Sequence, residues 1–129
     1  MSYDLCSDFP AIDTSLAASS YDEFWFLGIQ QSGRDGRKFF NQVAHGSWSH
    51  GDVKAVYNLP EGEYFGGEPV YVPNPADPHD GVVIVQHLKP SGDHSSFLIL
   101  DAHALASGPI ARLPLRNHVH PLFHASFWK

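Results

Sequence analysis

Residues Gly81-Val82-Val83-Ile84-Val85-Gln86-His87-Leu88 form the most hydrophobic run of the chain, and a second apolar run, Ser95-Ser96-Phe97-Leu98-Ile99-Leu100, follows closely. Short stretches rich in β-branched and aliphatic residues, bounded by turn formers, predict strands. The segment from Pro90 to His94 turns the chain between them, so the two predict a hairpin. Upstream, Glu68 to Val72 predicts a strand. Pro69 and Pro73 flank it, and since proline cannot donate to a ladder, an edge or strand-end place is expected. Between them, Pro73 to Asp80 holds three prolines and ends in Asp80-Gly81, a turn signal.

The same reading extends in both directions. Asp22 to Ile29 (DEFWFLGI), Lys38 to His45 and Val53 to Asn58 predict strands, with turns at Ser32 to Gly36 and Ser47 to Gly51 and a loop from Leu59 to Gly67. The last of these strands alternates as a half-buried strand does. Asp101 to Leu105 predicts one helical turn capped by Asp101. Pro109 to Leu115 predicts another strand, and a short final strand is expected around His124. Strands at about ten-residue spacing fit a sandwich, a barrel or a propeller. On spacing alone a β-sandwich and a propeller stand even, with no internal repeat to separate them.

Composition narrows the function classes. The 129 residues are 43% hydrophobic, enough for a packed core, with nine Phe, five Tyr and three Trp. The formal charge of −6 excludes the basic stripe that phosphate recognition needs, so no nucleic-acid partner is expected. Cys6 is the single cysteine, which rules out an internal disulfide and a cysteine-based zinc site. The N-terminal residues are acidic and lack the long apolar run of a secretory signal, so a cytoplasmic location is expected.

Nine histidines are the chemically loaded residues. His45, His50, His79 and His94 sit in or beside turns, where solvated surface is the expectation. His118, His120 and His124 would share one face of a strand, with Pro121 interrupting it, and a three-histidine zinc site with an open fourth position is one alternative. His124 lies between Phe123 and Phe127, a setting that on chemistry alone favours a satisfied core residue. Glu68 reads either as a solvated edge residue or as a buried carboxylate that needs a partner, which a histidine N–H would serve. Glu61 and Glu63 lie in the adjacent loop and call for no special role. No phosphate loop, nucleophile elbow or zincin helix is present.

The order of several segments resembles the C-terminal part of the carotenoid cleavage oxygenase family, whose members include apocarotenoid oxygenases, lignostilbene dioxygenases and the retinoid isomerohydrolase. Phe9-Pro10-Ala11-Ile12-Asp13 is similar to the family's E-F-P-R-I-D, and Phe24-Trp25-Phe26 stands where it has an aromatic strand. Gly67-Glu68-Pro69-Val70-Tyr71-Val72-Pro73 resembles its G-E-P-x-F-V-P. Asp80-Gly81-Val82-Val83 is similar to its D-D-G, and Phe97 to Ala102 to its L-D-A strand. Pro121 to Phe127 resembles the terminal P-x-x-F-H-G-x-F. Three positions depart from the pattern: Ala125 replaces the usual Gly, Asn74 a basic residue and Ala11 an Arg.

The resemblance implies an all-β chain, residues 1–129 being about two to three C-terminal blades of a seven-bladed β-propeller, incomplete by itself. It implies an iron(II) centre held by four histidines from different blades, of which His124 matches the last. Glu68 matches a glutamate that holds a ligand imidazole from behind. The other three histidines would come from N-terminal blades outside this chain, whether it is a truncated product or one half of a split enzyme. The implied activity is a non-heme iron(II) dioxygenase that takes O₂ and an apolar polyene or stilbene-type substrate and cleaves a conjugated double bond, with the chain alone inactive. The alternatives left open are a non-catalytic β-domain that assembles with a partner chain, and the small histidine-based zinc protein.

Overall fold

The computed structural model describes residues 6–30, 35, 38–92 and 94–128, and of Pro78, Gly92 and His94 only the backbone. Among the described residues, eight strands make two antiparallel four-stranded sheets. The first holds β1 (Ser7–Ala11), β2 (Glu23–Gly28), β3 (Gln42–Ser47) and β4 (Asp52–Asn58) in chain order. The second holds β5 (Tyr64–Asn74), β6 (Asp77–Lys89), β7 (His94–Asp101) and β8 (Pro109–Pro114), also in chain order. Helical structure among the described residues is confined to three-residue 3₁₀ turns, none long or apolar enough to cross a membrane.

The alternation of side chains sorts the apolar residues between faces. Trp25 and Leu27 of β2 and Val43 of β3 meet Val83 and Val85 of β6 and Leu98 and Leu100 of β7 in one core between the sheets. Phe24 and Phe26, one residue out of step, join Ala44 in a second cluster on the far side of the first sheet. Trp25 ties the layers together. Its ring lies flat on Tyr71 of β5 at 4.1 Å and 6°, and its indole N–H donates to the Ala102 carbonyl at 2.8 Å. Leu98, fully buried, contributes about 1.5–3 kcal/mol of apolar transfer energy.

The expected hairpin from Gly81 to Leu100 is present, with Val83 opposite Leu100 and Val85 opposite Leu98. The expected edge strand is also present, since β5 ends its sheet. Several expectations are corrected. The strand expected at Lys38 to His45 runs over Gln42–Ser47, β1 is a further strand, and β5 begins at Tyr64 inside the expected loop. Asp80-Gly81 is not a turn but lies inside β6, and the hairpin bend falls at Pro75-Ala76, closed by the Asn74 carboxamide accepting from Ala76 N–H at 3.0 Å. Gly81 serves another purpose: a Cβ there would come within 2.6 Å of the Tyr71 hydroxyl. The helical turn falls at Leu105–Ser107, while Asp101 caps the bend before it, accepting from His103 and Ala104 N–H at 2.9 Å. The turn expected at 32–36 lies outside the described residues, Asp35 apart.

Candidate metal centre

No strand forms around His124. Residues 115–128 carry no helix or strand, against the expected final strand, because Pro121 and the anchors below replace a ladder. Side chains of the second sheet fasten the segment instead. The Ser95 hydroxyl donates to the Val119 carbonyl at 3.0 Å. The Gln86 carboxamide donates to the His120 carbonyl at 2.9 Å and accepts from Leu122 N–H at 2.8 Å. Two glycines of β5 leave room for the crossing: a Cβ on Gly66 would stand 3.2 Å from Pro121 Cα, and one on Gly67 2.8 Å from Leu122 Cβ. Gly67 also has φ of +82°, a left-handed conformation that glycine alone adopts without strain.

Glu68 of β5 then takes both oxygens to the segment. Oε1 lies 2.9 Å from His124 Nδ1 and Oε2 accepts from Ala125 N–H at 3.2 Å. A carboxylate can only accept, so Nδ1 carries a proton and Nε2 is the ring nitrogen left for another partner. The His124 side chain is 71% exposed, which corrects its reading as a core residue. Two grooves flank the pair. One, of about 700 Å³, runs between Pro10 to Ser15 and Pro69 to Pro73. The other, of about 460 Å³, is lined by Val70, Ile84, Phe97, Leu113 and Leu122 together with His124.

The three-histidine zinc reading does not hold. The His118 and His120 rings lie edge to face at 5.6 Å, while His124 is turned to Glu68. Among the described residues, the group brought together with metal-ligand geometry is Glu23, His45 and His103, whose donor atoms all lie within 4.8 Å of one another. His45 is therefore a correction as well, since it is buried rather than solvated, stacked on Trp25 at 5.0 Å. Burial pushes its imidazole below the usual range, against the pull of Glu23. The three members of the group are far apart in the chain, on β2, on β3 and in the turn after β7, so no local spacing could signal them.

Glu63, expected to need no role, is buried and accepts on both oxygens. Its Oε2 meets His87 Nε2 at 2.7 Å and its Oε1 meets Lys89 Nζ at 3.0 Å. His87 Nδ1 in turn meets the Ser96 hydroxyl at 2.9 Å. The order Ser, His, Glu is that of a hydrolytic triad, but Ser96 is only 4% exposed and His87 only 1%, so no substrate reaches them. The network satisfies polar groups that the β6–β7 pairing buries.

Successive four-stranded antiparallel meanders packed face to face are the build of neighbouring propeller blades. The chain belongs to the family described as retinal pigment epithelial membrane protein, whose sequence profile matches residues 1–129. The family assignment bears out the resemblance to the carotenoid cleavage oxygenases. It is 28% identical to apocarotenoid-15,15′-oxygenase of Synechocystis sp. over 131 aligned positions, covering 90% of this chain and 26% of that protein. It is 35% identical to carotenoid 9,10(9′,10′)-cleavage dioxygenase 1 of Arabidopsis thaliana over 78 positions, covering 60% of this chain and 14% of that protein. Among solved structures, the lignostilbene dioxygenase of Pseudomonas brassicacearum superposes with a TM-score of 0.82 at 25% identity, covering 94% of this chain and 27% of that one. A Synechocystis apocarotenoid oxygenase shares the fold with a TM-score of 0.81 at 23% identity, over 95% of this chain and 25% of that one. The chain thus spans about a quarter or less of the proteins it resembles.

Proposed function

We propose that the chain forms the C-terminal blades of a non-heme iron(II) dioxygenase that cleaves a conjugated double bond of a carotenoid, apocarotenoid or stilbene-type substrate, with His124 as one ligand of the metal. The observation that carries this is the Glu68–His124 pair. A metal-binding imidazole is normally held through its other nitrogen by an acceptor such as a carboxylate, and Glu68 holds Nδ1 in that way, leaving Nε2 for a metal. A single imidazole suits a first-row divalent ion as one donor among several, so the remaining ligands would come from blades outside residues 1–129. Bound iron(II) would supply the O₂ chemistry.

The chain's own residues have three tasks. Glu68 fixes the tautomer and the direction of the imidazole, and by accepting from Ala125 N–H it fixes the backbone that carries it. Val70, Ile84, Phe97 and Leu122 offer an apolar wall beside His124 along which an unsaturated hydrocarbon can lie. Pro121 and Leu122, seated on Gly66 and Gly67, set how far the ligand reaches from the sheet.

Grafting residues 1–129 in place of the matched quarter of apocarotenoid-15,15′-oxygenase tests the reading. The graft is expected to retain iron and cleave an apocarotenoid, to lose both with His124→Ala, and to lose about 10–100-fold in iron affinity or turnover with Glu68→Gln. Unchanged iron content in the folded His124→Ala graft would overturn the assignment.

A further inference from the structure

The Glu23, His45 and His103 cluster lies apart from the pair just described. Its cleft, about 410 Å³ and bounded by Asp13, Asp22, Tyr71 and His79, contains neither Glu68 nor His124. His45 is 3% exposed, and its Nε2 has no hydrogen-bond partner. Buried ring nitrogens left in that state are rare. Glu23 Oε1 stands at 3.6 Å from His45 Nε2, and His103 Nδ1 stands at 3.6 Å from Glu23 Oε2. Both separations exceed a hydrogen bond. They come close to the spacing of neighbouring donors around a tetrahedral ion, about 3.3 Å when each bond is about 2.0–2.1 Å.

We infer that Glu23, His45 and His103 bind one divalent transition metal of the zinc class, with a fourth position open to the cleft. Two imidazoles and one carboxylate are a donor set that zinc takes with water as its remaining ligand. The site is partly built. Trp25 packs flat on the buried His45 ring at 5.0 Å, which holds it in place, and edge-on against His103 at 5.9 Å. Contraction by a few tenths of an ångström closes the two carboxylate contacts, and rotation of the exposed His103 ring brings in the third. Lys54 is the resident competitor, since its ammonium pairs with Glu23 Oε1, the oxygen that faces His45 Nε2. A plain ion-pair cluster would account for Lys54 and Glu23 but not for a buried imidazole nitrogen facing them unpaired.

The test uses the protein carrying His124→Ala throughout, so that the proposed iron ligand takes no part and failure of either reading leaves the other standing. Equilibrium dialysis against Zn²⁺, with bound metal measured by mass spectrometry, is expected to give one equivalent. Co²⁺ in its place is expected to give the visible absorption of a tetrahedral ion. Adding His103→Ala should weaken zinc binding on the order of 100-fold, with the fold checked by circular dichroism. Adding Lys54→Met, which frees Oε1, should tighten it severalfold. Less than one equivalent of zinc, or an affinity indifferent to both changes, would overturn the site and assign any zinc to exposed histidines such as His50 and His118.

Discussion

At the scale of single residues, the buried His87 makes stability depend on pH. Burial pushes its imidazole below the usual 6.5, although the Glu63 contact pulls upward and Arg112 and Lys89 push down. The folded ring stays neutral while the ring of the unfolded chain takes a proton as pH falls through 6.5. The stability it contributes is thus present above that pH and lost below it. Burial alone would raise the Glu63 carboxyl, but Lys89 and His87 outweigh it and hold it below 4.5, so its contribution is lost at still lower pH. Thermal melts should show a midpoint falling from pH 7 to 5, with a smaller slope in His87→Gln, and equal slopes would refute the account. Gly67 is the other decisive residue. Gly67→Ala forces a left-handed alanine against Leu122, and a cost of about 1–3 kcal/mol is expected by chemical denaturation. The sequence showed the Gly66-Gly67 pair but not its reason, because the residues that need the space lie more than fifty positions away.

Among the elements, the strands of the second sheet were legible and the last segment was not. Gly81 to Leu88 and Ser95 to Leu100 announce themselves by continuous apolar residues, because one face fills the core while the other, half-buried, carries Ile84 and Phe97 of the groove beside His124. Residues 115–128 have no such pattern, since side chains and not a ladder hold them. The misplaced turn at Asp80-Gly81 has the same origin: a glycine that makes room for the Tyr71 ring looks, in sequence, like one that bends the chain. Gln86 is the central anchor, being 1% exposed and bonded to the segment through both of its carboxamide atoms. Gln86→Ala removes both bonds and leaves His120 and Leu122 backbone groups unpaired, at about 1–3 kcal/mol. Hydrogen exchange at the Leu122 amide should then quicken well ahead of exchange in β6 and β7, and uniform exchange across both would argue against local release.

For the molecule as a whole, the Glu68–His124 pair was legible through motif order, whereas the Glu23, His45 and His103 cluster was not, because only the folding of the first sheet against the second brings its members together. The exposed imidazole, together with Phe123 at 68% and Phe127 at 52% exposed, faces away from the two-sheet core. Oxygen-electrode traces of the chain by itself with an apocarotenoid and iron(II) are therefore expected to stay at background, and sustained uptake would mean that fewer ligands suffice. The Tyr71–Trp25–His45 stack carries a practical consequence. One indole is clamped between the sheets, while Trp48 and Trp128 are 57% and 87% exposed. The blue edge of the emission spectrum therefore reports on the joint between the two blades alone. An early red shift on heating, before circular dichroism changes, would reveal the blades parting as intact units.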